Sequence, residues 1–243
     1  MERVIAEKKQ SLCYRDGNVF RKYFKYGNRQ MAEHEGKFSR LYESFAISTP
    51  HFIKTGFSKE RALFFNDYQY VDMSSLTEEN FNRDLFQKIY AILNQAIVSR
   101  IFYDEEMEPW SQRYKSDLSY ALGILKENVD IDGNLLLQKV CAQEISVIMH
   151  GDFSLSNMAL SGDMLYLYDF ASAGYASQWW DFGYLIATLS PTLGRKLYES
   201  VFNEPLLDCI KLASAVRFGR SLRKKESLEN RRNIFRYWSE ITF

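Results

Sequence analysis

The sequence predicts an α+β chain built as two lobes, a small β-rich segment followed by a longer helical one. Three observations predict it. Short alternating apolar runs fill the first 73 residues, apolar spacings of three and four take over from Ser74, and a polar loop and hairpin interrupt the helices over residues 150–168.

Residues 3–24 read as two strands, the second being the stretch SLCYRDGNVFRKYF, in which Asp16-Gly17 signals a hairpin turn. Residues 29–45 read as a helix, with Met31, Glu35, Phe38, Leu41, Tyr42 and Phe45 on one face, and Pro50 closes that unit. HFIKTGFS and RALFFNDYQYVDM read as two more strands. This places a β-rich lobe at 1–73 and a helical lobe at 74–243. Thr77 with Glu79 and Asn80 marks a helix start, with an apolar face of Phe81, Leu85, Ile89 and Leu93. Residues 111–128 read as a helix with Leu118, Leu122 and Leu125 on one side, and residues 135–145 as another. A short apolar run, Ile145 to Met149, leads into polar HGDFSLSN. Met158 to Leu160 and Leu165 to Tyr168 then form a hairpin about Ser161-Gly162-Asp163, and helix resumes from about Trp179.

The 243 residues suffice for one large domain or two small lobes with a real core. Hydrophobic residues are 46% and charged residues 26%, an ordinary globular balance. The 31 basic and 31 acidic residues cancel, which argues against a general nucleic-acid binder. Cys13, Cys141 and Cys209 have no zinc or redox spacing, so a reduced, cytoplasmic setting is expected. The N-terminus lacks the apolar core of a secretory signal, and no stretch approaches the roughly 20 apolar residues of a membrane span.

The segment HGDFSLSNMALSGDMLYLYDFASAGYASQWWD carries the chemistry. Asp152 and Asn157 share one loop, and the hairpin after them returns the chain so that Asp169 can meet them in space. Phosphoryl transfer to an alcohol needs this set. One carboxylate orients the hydroxyl proton, and other hard oxygens hold Mg²⁺ on the nucleotide phosphates. Where the transition state is loose and positioning dominates, an aspartate is base enough.

With His150-Gly151-Asp152, Asn157, Asp169-Phe170 and Trp180-Asp181 in this order, the segment resembles the aminoglycoside phosphotransferase and choline kinase branch of the protein-kinase-like superfamily. The resemblance implies a bilobal protein-kinase-like fold, with a small antiparallel-sheet N-lobe, a mostly helical C-lobe, and ATP and Mg²⁺ held between them. It implies Asp152 as catalytic base, Asn157 and Asp169 as metal ligands, and His150 and Asp181 as braces of the loop. Trp179 and Trp180 are expected to pack beneath that loop. The family also places a basic residue on the strand after the first hairpin, paired with a glutamate on the next helix. Arg21 and Lys22 point to opposite faces, so only one can serve; Lys22 is preferred. Glu35 is its expected partner, with Glu33 the alternative. Backbone groups near Asp67, Tyr68 and Gln69 are expected at adenine, by position along the chain. One departure stands out. The first turn, Glu7 to Ser11, has no glycine, so Lys8 or Lys9 would have to meet phosphate by charge.

The expected activity is ATP- and Mg²⁺-dependent transfer to a hydroxyl of a small molecule or sugar. A cell-envelope sugar or lipopolysaccharide kinase, and a pseudokinase acting as a regulatory module, are the alternatives. A protein substrate fits less well, because no Ala-Pro-Glu follows Asp169. The acidic run Asp104-Glu105-Glu106 with Glu108 would suit a cationic acceptor. The basic stretch 217–232 would suit an anionic acceptor or peripheral contact with an anionic membrane surface. Both also read as solvated charge.

Overall fold

Asp16 and Gly17 close a tight turn, and the strands on either side, β2 (Ser11–Asp16) and β3 (Val19–Phe24), pair antiparallel from Ser11↔Phe24 to Asp16↔Val19. The computed structural model describes residues 3–7, 11–25, 29–98, 115–142, 146–201, 204–224 and 228–241. Residues 3–24 therefore give three strands where two were expected. β1 (Arg3–Glu7) pairs with β2, and the 11–24 stretch is itself a hairpin, because a pleated run cannot reverse without leaving its ladder. Strands β4 (Phe52–Ser58) and β5 (Leu63–Gln69) complete an antiparallel five-stranded sheet of order β1-β2-β3-β5-β4. Helix α1 (Arg29–Ser44) connects β3 to β4 and packs on β4 and β5 through Ala32, Glu35, Phe38, Ser39 and Tyr42. Met31, expected on that face, is 42% exposed, because the buried stripe starts one residue later, at Ala32.

Contacts divide the chain into two units, Met1–Gln95 with Leu155–Ala173, and Ala96–Ser154 with Gly174–Phe243. The first unit holds the five-stranded sheet, α1, and a second sheet of order β6-β8-β9 (Ser74–Ser75, Met158–Ser161, Met164–Leu167). It also holds most of α2 (Arg83–Val98). Thr77 does not start that helix. Its N–H donates to the Asn80 side chain at 2.8 Å and closes one 3₁₀ turn, Glu78–Asn80. Phe81 is extended, and Asn82 then caps α2 by accepting from the Leu85 N–H at 2.8 Å. Phe81 therefore lies off the face on which Leu85, Ile89 and Leu93 are buried.

The second unit contains α3 (Lys115–Asn128), α4 (Gly133–Cys141), the pair β7 (Ser146–Met149) and β10 (Gly174–Ser177), then α5 (Trp180–Ile186), α6 (Pro191–Val201), α7 (Glu204–Lys224) and α8 (Leu228–Glu240). In α3, Leu118, Ala121, Ile124 and Leu125 form the buried face, while Leu122 is half-buried. Residues 111–114 and 143–145 of the expected helices lie outside the described residues. Asp132 sets the start of α4, since its carboxylate accepts from the N–H groups of Asn134 and Leu135. Helix α7 is central and packs on α3, α4, α5 and α8.

The α5–α7 approach is close enough to need a glycine. A Cβ on Gly183 would lie 2.7 Å from the Cys209 Cβ and 3.0 Å from its carbonyl carbon. Backbone cannot yield as a side-chain tip can. Gly183→Ala is expected to cost about 1–3 kcal/mol from overpacking, read as a fall of several degrees in melting temperature. An unchanged melting curve would show that the two helices part freely. Among the described residues, no helix is long and apolar enough to cross a membrane.

Candidate active site

In the first unit, alternation along β3 sends Arg21 and Lys22 to opposite faces of the sheet. Lys22 turns toward α1, where its ammonium lies 2.7 and 3.0 Å from the Glu35 carboxylate oxygens and 2.7 Å from Asp169 Oδ1. Glu35 is 2% exposed. Tyr68 also donates to it, at 3.0 Å. A buried carboxylate with three such donor contacts is fully committed, which answers why a glutamate sits on the apolar face of a helix. Burial pulls the Lys22 ammonium down, but Glu35 and Asp169 outweigh it and hold the pKa above the ordinary lysine value. For Glu35, burial pushes the carboxyl up, with Lys22 and Tyr68 pulling it back. Glu33 is exposed and pairs instead with Arg29 at 2.7 Å.

Arg21, on the other face, makes a two-pronged contact with Asp67 at 2.6 and 2.9 Å. Both line a separate hollow of about 260 Å³ with Lys54. Lys22, Glu35 and Asp169 instead line a cavity of about 460 Å³. Phe20 and the chain from Tyr68 to Val71 form part of its wall. Tyr68 and Gln69 thus border the same cavity as Lys22, and Asp67 does not. The Gln69 and Tyr70 N–H groups donate to the carbonyls of His51 and Asn18 at 2.8 and 2.7 Å.

Asp169 follows β9 in the left-handed region, at φ 69° and ψ 62°. Such a conformation strains a non-glycine residue by on the order of 1 kcal/mol or more, and it persists where the surroundings dictate it. Here α1 packs on the 3₁₀ turn Phe170–Ser172, and His34 Nε2 donates to the Ala173 carbonyl at 2.8 Å. His34 is a support that the sequence reading missed. The β8–β9 ladder continues through the Tyr168 N–H, which donates to the Asn157 carbonyl at 3.1 Å. Asn157, 4% exposed, is thereby one residue out of register from Asp169. Mg²⁺ bound to a nucleotide takes few protein ligands and keeps phosphate and water oxygens for the rest. The half-exposed Asp169 carboxylate on the cavity wall and the Asn157 amide are hard oxygen donors of the right kind.

In the second unit, residues 150–154 follow β7. Gly151 has φ 80°, a conformation that glycine tolerates and other residues resist. That bend points two successive N–H groups at one carboxylate. His150 and Gly151 donate to Asp181 at 2.7 and 2.9 Å. Burial lifts the Asp181 carboxyl, against the pull of His150 and those two amides. His150 is itself fully buried, with Nδ1 3.4 Å from the Asp152 N–H and its ring edge-on to Phe153. Trp180 is fully buried in α5.

Asp152 is partly exposed and lies 3.7 Å from Arg217 Nη1 of α7. Burial pushes its carboxyl up, but Arg217, the Tyr184 hydroxyl, Arg220 and His150 together hold it below the ordinary aspartate value. Tyr184, fully buried on α5, accepts from Arg217 at 3.1 Å and from Arg220 at 2.8 Å. Sequence reading passed over Tyr184, which sits among apolar neighbours in DFGYLIA and reads as core. The 217, 220, 223 spacing of arginines on one helix face was the available signal. These arginines are not a solvated stripe, because Arg220 and Arg223 turn onto Asp117 of α3. Lys8, Lys9 and the acidic residues 104–108 lie outside the described residues.

An N-terminal antiparallel sheet followed by a mostly helical region makes this a protein-kinase-like fold. The amicoumacin kinase hAmiN, solved with AMP-PNP, Ca²⁺ and Ami, superposes with a TM-score of 0.74 at 14% identity, covering 98% of this chain and 87% of that one. Aminoglycoside 2′-phosphotransferase-IIIa in its GDP complex gives 0.66 at 13% identity, covering 98% and 92%. A choline/ethanolamine kinase family protein from Mesorhizobium loti gives 0.64 at 13%, covering 98% and 85%. Residues 93–212, which include the whole 150–181 segment, match the phosphotransferase enzyme family APH. A search of curated proteins returned no match.

Proposed function

We propose that the protein transfers the γ-phosphoryl group of ATP to a hydroxyl of a small molecule or sugar. The observation that carries this reading is the Lys22–Glu35–Asp169 cluster on the wall of a cavity of about 460 Å³. Three ionisable groups from a strand, a helix and a strained loop are costly to gather in a partly buried place, and phosphate recognition is a reason to gather them. In this reading Lys22 binds nucleotide phosphate, and Glu35 orients Lys22. Asp169 and Asn157 would hold Mg²⁺, which neutralises charge on the transferring phosphoryl group when bound. Adenine would lie against Phe20 and the 69–71 segment rather than Asp67, whose side chain is committed to Arg21. In the second unit Asp152 would accept the acceptor's proton, and Asp181 would fix the loop that presents it.

The testing measurement is a thermal shift with ATP and Mg²⁺. Ligand at a hundredfold over its Kd should stabilise by about 2.7 kcal/mol, a rise of roughly 5–10 °C for a chain of this size. Asp169→Ala should remove the Mg²⁺-dependent part of that rise. The absence of glycine from the sequence between β1 and β2 favours a second reading, a regulatory module of the same fold. No shift at millimolar ATP would select that reading and overturn the first.

A further inference from the structure

The loop that follows Asp152 reads Asp-Phe-Ser-Leu-Ser-Asn and holds no cationic side chain. Positive charge reaches Asp152 from α7 instead. Tyr184 organises it. A phenolic oxygen accepts at most two hydrogen bonds and donates one. Arg217 and Arg220 fill both acceptor positions. The hydroxyl proton is left for an acceptor, and Tyr184 acts on Asp152 as such a donor. Two like-charged guanidiniums are thus pinned on one buried oxygen near Asp152.

Their charges are unequally spent. Arg220 pairs with Asp117 at 2.8 Å, and Arg223 shares the same carboxylate. Asp181 is taken up by the loop amides. Among the described residues, Arg217 has only Asp152 as an acidic partner, at 3.7 Å, beyond hydrogen-bond reach. Among the described residues, all the hydrogen bonding of Arg217 runs through Nη1 to Tyr184, and its Nε is buried and unpaired. A buried unpaired donor costs about 1–3 kcal/mol. Yet the Arg217 side chain as a whole is 23% exposed, which leaves it a face open to a ligand. A planar fork with unspent donors suits the oxygens of a phosphate or carboxylate.

We propose that Arg217, set by Tyr184 and reinforced by Arg220, is an oxyanion-binding group beside Asp152, taking a phosphate-class or carboxylate group. This rests on the kinase reading for its role in turnover, though not for the binding itself. The oxyanion has two sources, the phosphoryl group in transit or an acidic group carried by the acceptor.

The test uses the full-length protein, its Arg217→Gln and Arg217→Lys variants, and Tyr184→Phe, which keeps the buried ring should Arg217→Gln fail to fold. Inorganic phosphate at matched ionic strength is the first probe. It should raise the wild-type melting temperature, with that rise lost in Arg217→Gln and reduced in Tyr184→Phe and in Arg217→Lys, which keeps the charge but not the fork. Transfer from ATP is then measured to water and to choline, glucose, glucose 1-phosphate and gluconate. Losses of about 10–100-fold are expected, the worth of one charge-assisted hydrogen bond. A fall in kcat shared by water and every acceptor assigns the oxyanion to the phosphoryl group in transit. A rise in KM for the anionic acceptors that exceeds any change in kcat assigns it to the acceptor. The proposal is overturned if phosphate shifts wild type and Arg217→Gln equally, or if wild type prefers choline and gains from losing the arginine. A phosphate shift without an ATP shift would instead leave this site standing and remove the kinase reading.

Discussion

Replacing Lys22 with methionine is expected to lower kcat/KM for ATP by two orders of magnitude or more and to destabilise the fold by about 3–5 kcal/mol. The two losses have different origins. Activity falls because a cation that would bind phosphate is gone. Stability falls because Glu35, 2% exposed, is left as a buried carboxylate that, among the described residues, has Tyr68 alone to support it. Its carboxyl, already pushed up by burial, then rises further. The sign of the pH effect follows. A carboxyl whose folded pKa exceeds its unfolded value binds protons more tightly in the native state, so the variant loses stability as pH rises through that interval. Adding Glu35→Gln should restore much of the stability and none of the activity. Urea denaturation and steady-state kinetics on the single and double variants separate the effects. Activity within tenfold of wild type in Lys22→Met would remove the lysine from nucleotide binding.

Asp152→Ala should cut turnover about 10²–10⁴-fold, the usual range for a positioned base, while leaving the ATP–Mg²⁺ thermal shift in place. A loss of turnover under tenfold would reassign the base. The groups facing Asp152 are Arg217, Arg220, Tyr184 and His150, and the neighbouring Asp181 carboxyl is itself raised by the Asp152 charge. Their net effect lowers its carboxyl, so the acid limb of kcat/KM due to this group should fall below the ordinary aspartate value of 3.8. Whatever stability the ionised carboxylate contributes is present above the unfolded pKa and lost as pH falls through the lowered folded one.

Local signals were legible in the sequence where local physics decides. Asp16-Gly17 and Gly162 mark hairpins that form, because a tight turn is chosen by the residues in it. The order His150, Asp152, Asn157, Asp169, Asp181 pointed to the kinase-like fold. What sequence could not decide was nonlocal. Arg21 and Lys22 are equivalent by alternation, and only α1 packing on one face of the sheet distinguishes them. Backbone groups near Asp67, Tyr68 and Gln69 were placed by position along the chain, and alternation could not say that the Asp67 carboxylate faces Arg21 across the β3–β5 ladder. The Thr77 signal was real yet closed a single turn, since Asn82 offered a second cap five residues on. Tyr184 stayed hidden because its polar role depends on two arginines more than 30 positions away.

The division of the backbone into units has a practical consequence. The polypeptide passes from one to the other after Gln95, after Ser154 and after Ala173. No single cleavage can release either as a continuous piece. A fragment ending near residue 95 would carry Lys22 and Glu35 but lack Asp169, which completes their cluster, together with two of the three strands of the smaller sheet. Trimming from the C-terminal end is therefore no route to an isolated first unit; a fusion that joins 155–173 directly to the first 95 residues, with 96–154 left out, would be needed.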